Sequence, residues 1–103
     1  MKLMTKAIEA RFAKLGRQEV NGENAVIVCK FFDPTGSWTW YATEYDPETR
    51  EFFGLVHGFE DELGYFSLDE IQSARGRFGL GIERDLHWTE TTLAEVRFKN
   101  CVA

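Results

Sequence analysis

The stretch GSWTWYATEYDPETREFFGLVHGF, residues 36–59, contains two runs rich in aromatic and β-branched residues, separated by the polar sequence DPET. Runs of this kind, bounded by glycine, proline and aspartate, are typical of β-strands joined by tight turns. We therefore predict strands over residues 37–45 and 51–59. The run AVIVCKFF predicts another strand over residues 25–32. Together the three strands predict an antiparallel meander.

Short helices are predicted on both sides of the meander. Thr5 is a good N-cap for a helix that runs to about Leu15, and Gly16 can end it. Ser67 and Glu70 form an S-x-x-E capping box, which predicts a helix over residues 68–75. Residues 82–88 predict a fourth strand, and residues 93–96 a last turn of helix. The expected fold is α+β, a small curled antiparallel sheet with a three-strand meander plus a fourth strand and short helices packed on it.

Length and composition predict a single globular domain, residues 1–103. The chain has 44% hydrophobic and 15% aromatic residues, which is enough for a packed core. It has no apolar run of the roughly 18–20 residues that a membrane span needs. Two cysteines, Cys29 and Cys101, are too few for a disulfide framework. We therefore expect a reduced, cytoplasmic protein with no membrane partner, in which Cys29 is a buried thiol.

The charge is unevenly distributed along the chain. The formal net charge is −5, but residues 33–70 contain ten acidic residues and a single base, Arg50, and so carry a net charge of −9. If these carboxylates lie on one face, they repel nucleic acid and favour a basic partner. The alternative is that these acidic residues only keep the protein surface hydrated and bind no partner.

Strand alternation assigns the aromatic residues of 37–45 to two faces. Trp38 and Trp40 have one parity and Tyr41 and Tyr45 the other. We expect both tryptophans in the core beneath the helices. The tyrosines are expected on a face that is open, or half covered by the N-terminal helix or by a partner. With the neighbouring carboxylates they form a predicted partner-binding surface, made of Tyr41, Glu44, Tyr45, Asp46, Glu48 and Glu51.

The glycine-rich loop RGRFGLG is not a dinucleotide-binding fingerprint, because it is predicted to follow a helix and precede a strand. It contains Arg75 and Arg77, and Arg84 lies just beyond it. Each guanidinium offers a planar pair of donors to a phosphate or carboxylate. The three arginines are therefore a candidate anion or nucleic-acid contact, and pairing with the acidic centre of the chain is the alternative.

Signals for catalysis are weak. His57 and His87 could approach each other, with a carboxylate nearby, if the third and fourth strands pair. The sequence has no two-histidine or C-x-x-C spacing typical of a metal site. Cys29 lies in an apolar run without an obvious base. We therefore expect no enzyme, metal or cofactor, and a small metal-dependent hydrolase is kept as an alternative.

Three strings carry a resemblance to a known family: KFFDPTGSWTWYATEYDP, FFGLVHGFEDELGYFSLDEI and GLGIERDLHW. They resemble the DUF2958 family of uncharacterised bacterial proteins, over nearly the whole chain. The resemblance implies a short accessory protein of plasmids, phages and other mobile elements, encoded near anti-restriction genes. It implies no catalytic residue.

The main hypothesis is a non-enzymatic protein-binding module. Its acidic aromatic face would engage a basic host protein or nucleoprotein complex, such as a restriction or CRISPR defence complex, with carboxylates in the place of DNA phosphates. The alternatives are direct nucleic-acid binding through the three arginines and the N-terminal lysines, and the hydrolase. Each of these three hypotheses is compatible with a homo-oligomer.

Overall fold

The computed structural model describes residues 1–102, with the side chains of all of these except Arg77 and Val102. The strands in this range are β1 (Val26–Ile27), β2 (Cys29–Phe32), β3 (Thr39–Asp46), β4 (Glu51–His57), β5 (Asp61–Ser67), β6 (Glu83–Arg84) and β7 (Thr91–Thr92). The α-helices are α1 (Lys6–Leu15), α2 (Leu68–Ser73) and α3 (Leu93–Val102). Within residues 1–102, no helix is long and apolar enough to cross a membrane.

Antiparallel pairing joins five strands into one open sheet. Its order is β5-β4-β3-β2-β6, while β1 and β7 form a separate two-stranded sheet. The sequential neighbours β2, β3 and β4 are the predicted meander. The predicted α+β class and the antiparallel sheet with packed short helices are confirmed.

Two helices begin where their caps predict. The Thr5 hydroxyl accepts a hydrogen bond from the Ile8 N–H at 3.2 Å, and Gly16 follows the last turn of α1 with a φ of 63°. A positive φ favours glycine, so Gly16 suits this position. The Ser67 hydroxyl accepts from the Glu70 N–H at 3.2 Å and begins α2. Local capping chemistry therefore fixes both helix starts.

The five-stranded sheet is covered on both sides. On one side, which we call the α1 face, α1 and α2 bury Phe12 and Leu68 against Phe31 and Phe52 of the sheet. On the other side, the α3 face, α3 contributes Leu93 and Val96 to a second cluster with Ile27, Tyr41 and Leu55. The expected cover of the second face is present, but its source is neither the N-terminal helix nor a partner. The C-terminal helix covers it.

Several predicted boundaries differ from the structure. The strand predicted over 25–32 is divided at Val28, because β1 leaves the main sheet to pair with β7. The fourth strand predicted over 82–88 contains only the two residues of β6. The last helix is not one turn but extends over Leu93–Val102, and the Thr92 hydroxyl accepts from the Glu95 N–H at its start.

The edge strand β5 is absent from the sequence prediction. Its sequence, DELGYFS, begins with two acids and contains a glycine, so it lacks the alternation of a half-buried strand. Apart from Phe66, its residues are exposed or only partly buried. β5 pairs with β4 over seven residues. The first pair is Glu51 opposite Ser67 and the last is His57 opposite Asp61, and this pairing makes β5 a strand. Tertiary pairing therefore overrides the weak local signal.

Candidate functional site

A β-bulge at Thr43 changes the orientation of the second half of β3. Ala42 lies opposite Gly54, whereas Glu44 lies opposite Phe53, so β3 has one residue more than β4 here. The Thr43 hydroxyl donates to the Phe53 carbonyl at 3.0 Å. One extra residue reverses the alternation of faces along the strand. Residues beyond Thr43 therefore point to the side opposite to the one their parity predicts.

The bulge separates the two tyrosines of β3. Tyr41 is 7% exposed on the α3 face, with its ring 5.9 Å from that of Trp88. Tyr45 lies on the α1 face, with its ring 4.8 Å from Phe52 and 5.9 Å from Phe12. Burial is the main cause that raises the pKa of each phenol. The prediction that Tyr41 and Tyr45 share an open face is wrong.

The two tryptophans of the same strand also differ. Trp40 is partly buried and packs against the cluster on the α1 face, as predicted. Trp38 is 37% exposed, and its ring meets the exposed Phe59 ring edge-on at 5.5 Å. The predicted core position therefore applies to Trp40 and is wrong for Trp38.

Gln18 connects the bulge to the rest of the fold. Its side chain is 2% exposed, and its amide donates to the Thr43 carbonyl at 2.6 Å and to the Val26 carbonyl at 2.8 Å. Its side-chain oxygen accepts from the Val26 N–H at 2.6 Å. The Gln18 N–H donates to a Glu44 carboxylate oxygen at 2.9 Å. Because all these groups are paired, the bulge costs no unsatisfied buried polar atom at Gln18.

A groove of about 470 Å³ lies beside the β3–β4 turn and the C-terminal end of α1. We call it the acidic groove, because Glu44, Asp46 and Glu51 line it. The groove lining also includes Arg17, Tyr45, Phe53 and Tyr65. Four of the six predicted partner-binding residues therefore meet in one groove: Glu44, Tyr45, Asp46 and Glu51. Tyr41 is buried elsewhere, and Glu48 is exposed in the turn outside the groove.

The carboxylates of the acidic groove keep acceptor capacity for a ligand. One Glu44 oxygen accepts from the Gln18 N–H, and one Asp46 oxygen accepts from the Glu48 N–H at 2.9 Å. Among the described residues, the Glu51 carboxylate has no hydrogen-bond or ion-pair partner. A carboxylate has about four lone-pair sites, so each of the three can still accept from a bound cation.

Aromatic rings complete the acidic groove. Tyr65 of β5 is 72% exposed, and the Phe53 ring meets it edge-on at 5.0 Å. Aromatic faces attract ammonium and guanidinium groups, and carboxylates accept charge-assisted hydrogen bonds from them. The positive charge of Arg17 repels such a cation. The lining nevertheless contains three negative charges and one positive charge. The groove is chemically suited to a basic side chain.

Sequence reasoning missed Arg17, Phe53 and Tyr65 as groove residues. Arg17 reaches the groove because the chain after α1 passes beside it, and Phe53 and Tyr65 meet there because β4 pairs with β5. The sequence does contain one usable signal, because Leu63 and Tyr65 share a parity in DELGYFS and would share a face of any strand there.

Comparison with protein families assigns the chain to one of them. The family model described as "Protein of unknown function (DUF2958)" matches residues 3–97, and all groove residues lie within this range. The chain belongs to the DUF2958 family. Comparisons of this DUF2958 chain with curated proteins and with solved structures found no match.

One of the three arginines of the candidate anion contact, Arg75, has partners within the DUF2958 chain. The Arg75 guanidinium donates to the carbonyls of Gln72 at 2.9 Å and Ala74 at 2.7 Å, and so caps the end of α2. Arg84 lies in β6, opposite Phe31. The side chain of Arg77 lies outside the described residues. The Arg75 guanidinium therefore already has backbone acceptors.

The two histidines do not approach through strand pairing. The fourth predicted strand, β6, pairs with β2 and not with β4, which contains His57. The His57 ring contacts the Asp61 carboxylate, and His87 follows β6, where its N–H donates to Asp85. In the described part of the chain, no three His, Cys, Asp or Glu side chains are placed to hold a metal ion.

Cys29 has the environment of a structural thiol. It is buried on the α1 face. Burial raises its pKa to about 12, although the positive charge of Arg84 acts in the opposite direction. A thiol with so high a pKa is almost entirely protonated at neutral pH and is a poor nucleophile.

Proposed function

We propose that this DUF2958 chain is a non-enzymatic protein-binding module whose acidic groove receives a basic segment of another protein. The observation that carries the proposal is the convergence of Glu44, Asp46 and Glu51 with the exposed ring of Tyr65 around one open groove. The carboxylates supply charge, and the ring supplies a flat surface for a guanidinium or ammonium group.

Electrostatics supports a basic partner more than a neutral one. An isolated surface ion pair contributes only about 0–1 kcal/mol, because water screens it. Three carboxylates within one groove raise the local concentration of cations and speed the encounter with a basic partner. The three groove carboxylates belong to residues 33–70, which carry a net charge of −9.

The wider role that we propose follows from the family resemblance. As an accessory protein of mobile elements, the chain would occupy a basic surface of a host nucleic-acid-handling complex, such as a restriction or CRISPR defence complex. Its carboxylates would satisfy the lysines and arginines that otherwise hold DNA phosphates. Removal of the groove carboxylates should then release the host complex.

The proposal is tested with a labelled basic peptide and two triple variants. The probe is a fluorescein-labelled octapeptide of alternating arginine and valine, and the readout is fluorescence anisotropy at fixed ionic strength. The groove variant is Glu44→Gln, Asp46→Asn, Glu51→Gln. The matched control is Glu9→Gln, Glu70→Gln, Glu95→Gln, which changes the net charge equally at three exposed carboxylates outside the groove.

We expect the groove variant to weaken peptide binding about tenfold or more, and the control about threefold or less. An equal loss in both variants would mean that only the net charge matters, and the groove would then not be the site. A labelled oligonucleotide should not bind the wild-type protein even at low salt. Binding of the oligonucleotide instead of the peptide would favour the nucleic-acid alternative.

A further inference from the structure

The strand β5 is an open edge of the main sheet. The order β5-β4-β3-β2-β6 leaves one side of β5 without a neighbouring strand. The opposite edge, β6, has only two residues, whereas β5 has seven. Of the two edges of the sheet in the described residues, β5 is therefore the one long enough to pair with a further strand over several residues.

The hydrogen-bond pattern identifies the backbone groups that face outward. The Leu68 N–H donates to the Arg50 carbonyl at 2.9 Å, and the Gly58 N–H donates to the Glu60 carbonyl at 3.2 Å, at the two ends of the β4–β5 ladder. Hydrogen-bonded pairs alternate along an antiparallel ladder. In the register of β4 and β5, Glu62, Gly64 and Phe66 therefore bond to β4. The N–H and C=O groups of the residues between them, Asp61, Leu63 and Tyr65, point away from β4.

Those outward groups have no partner among the described residues. Among the described backbone and side-chain groups, none hydrogen-bonds to the main chain of Asp61, Leu63 or Tyr65. Proteins commonly protect such an edge with a proline, a bulge or charged side chains, lysine above all. The β4–β5 register is continuous, β5 contains neither proline nor lysine, and its charged residues, Asp61 and Glu62, both lie at its start. Leu63 is 45% exposed and Tyr65 72%.

The side chains around β5 indicate which strand would fit. Glu60 and Glu62 are exposed near its start, and the acidic groove, with Glu51 and Tyr65, adjoins its end. Between them, Leu63 borders an apolar hollow of about 240 Å³ that Phe53 and Leu93 also line. Acids near both ends with apolar side chains between them match an extended segment that carries both basic and apolar side chains, as an alternating arginine–valine peptide does. A second copy of this chain fits less well, because each copy has a net charge of −5.

We infer that the basic segment binds by adding a strand to β5. Its main chain pairs with the outward groups of Asp61, Leu63 and Tyr65, and a basic side chain at one end enters the acidic groove. Strand addition gives affinity through main-chain hydrogen bonds and specificity through the side chains of alternate residues. This inference rests on the proposed function, since it describes how the same ligand binds.

The test uses the alternating arginine–valine octapeptide and amide hydrogen exchange measured by NMR. In the free protein, the amides of Glu62, Gly64 and Phe66 should exchange slowly, and those of Asp61, Leu63 and Tyr65 fast. Saturating peptide should slow exchange at Leu63 and Tyr65 about tenfold or more, because their N–H groups become bonded. No change at these two amides in the presence of bound peptide would overturn the strand-addition inference.

Two variants of one residue separate the main chain from the side chain. Leu63→Pro removes one outward N–H and no β4–β5 hydrogen bond, and proline is tolerated on an edge strand at such a position. Leu63→Ala retains the N–H and removes most of the side chain. We expect Leu63→Pro to weaken peptide binding about tenfold or more, and Leu63→Ala about threefold or less. Equal affinities of the two variants would contradict strand addition. If Leu63→Pro does not fold, the exchange measurement alone decides.

The outcomes distinguish this inference from the proposed function. Peptide binding that depends on the groove carboxylates but leaves the β5 amides unprotected refutes strand addition and retains the proposed function. Protection of the β5 amides that persists in the groove triple variant refutes the groove and retains strand addition. Concentration-dependent dimerisation that protects the β5 amides without peptide would identify a second copy as the occupant and refute a basic segment. Absence of peptide binding to the wild-type protein refutes both.

Discussion

The side-chain amide of Gln18 donates to the main-chain carbonyl of Thr43 at 2.6 Å, at the residue where β3 bulges. This contact joins the segment after α1 to the middle of the sheet. It also brings Glu44 into contact with the Gln18 N–H, so the bulge and one carboxylate of the acidic groove depend on the same buried residue.

Gln18→Ala should destabilise the protein by about 2–4 kcal/mol, because it leaves the Thr43 carbonyl and both main-chain groups of Val26 without their partners. Urea unfolding with an unchanged m-value measures the effect. The control Lys14→Ala, at an exposed position of α1, should change the free energy of unfolding by less than about 0.5 kcal/mol. Equal stabilities of the two variants would show that the Gln18 network does not stabilise the fold.

Gly54→Ala should prevent folding or cost more than about 3 kcal/mol, because a Cβ on Gly54 would lie 1.8 Å from the Tyr41 carbonyl oxygen. Gly64 is the matched control, since it lies directly opposite Gly54 in β5 and a Cβ there meets nothing within 4 Å. Gly64→Ala should change stability by less than about 1 kcal/mol. Thermal unfolding of both variants compares them, and similar melting temperatures would refute the close strand approach at the bulge.

Arg17→Gln should strengthen binding of the arginine–valine peptide by about threefold, because it removes the positive charge that opposes Glu44, Asp46 and Glu51 in the groove. Lys14→Gln makes the same change in net charge on α1, at a residue that does not line the groove. Lys14→Gln should therefore strengthen peptide binding less than Arg17→Gln does. Anisotropy titrations measure both affinities, and weaker binding by Arg17→Gln would show that Arg17 contacts the ligand favourably.

One of the two thiols should react in the native protein at neutral pH. Cys101 is exposed, whereas Cys29 is buried and its pKa is raised to about 12 from an ordinary value of 9.0. A thiol-specific reagent should count one fast thiol in buffer and two in denaturant, and Cys101→Ser should remove the fast one. Rapid modification of Cys29 in the native Cys101→Ser variant would contradict its burial.

The raised pKa of Cys29 predicts a loss of folding stability at alkaline pH. The unfolded chain releases the Cys29 proton near pH 9, while the folded chain holds it up to about pH 12. Deprotonation therefore stabilises the unfolded state first, so the contribution of Cys29 to the free energy of unfolding should decline as pH rises through this window. Urea unfolding from pH 8 to 10 measures the decline, which should be smaller in Cys29→Ala.

Local chemistry made part of this fold predictable from the sequence. The caps Thr5 and Ser67 and the terminating Gly16 act within a few residues of their helices, so they mark helix ends in the sequence itself. The aromatic and β-branched runs of β3 and β4 are equally strong signals. The acidic residues of the β3–β4 region were identified as a candidate surface because their charge is apparent in the sequence.

The parts that the sequence does not reveal depend on distant contacts. Gln18 and Thr43 are 25 residues apart, and nothing near Thr43 marks the bulge that turns Tyr45 away from the side of Tyr41. β5 is a strand because β4 pairs with it, and Tyr65 reaches the groove for the same reason. The rule that alternate residues of a strand share a face fails in β3, because one inserted residue moves every later side chain to the opposite face of the sheet.

The binding position of a basic ligand is the central claim, and chemical-shift mapping tests it most directly. The alternating arginine–valine octapeptide is titrated into the ¹⁵N-labelled wild-type protein while amide resonances are recorded. The largest shifts are expected at Glu44, Asp46, Glu51 and Tyr65 around the acidic groove. Shifts centred on the loop from Arg75 to Gly81, or shifts spread evenly over all exposed carboxylates, would contradict the claim.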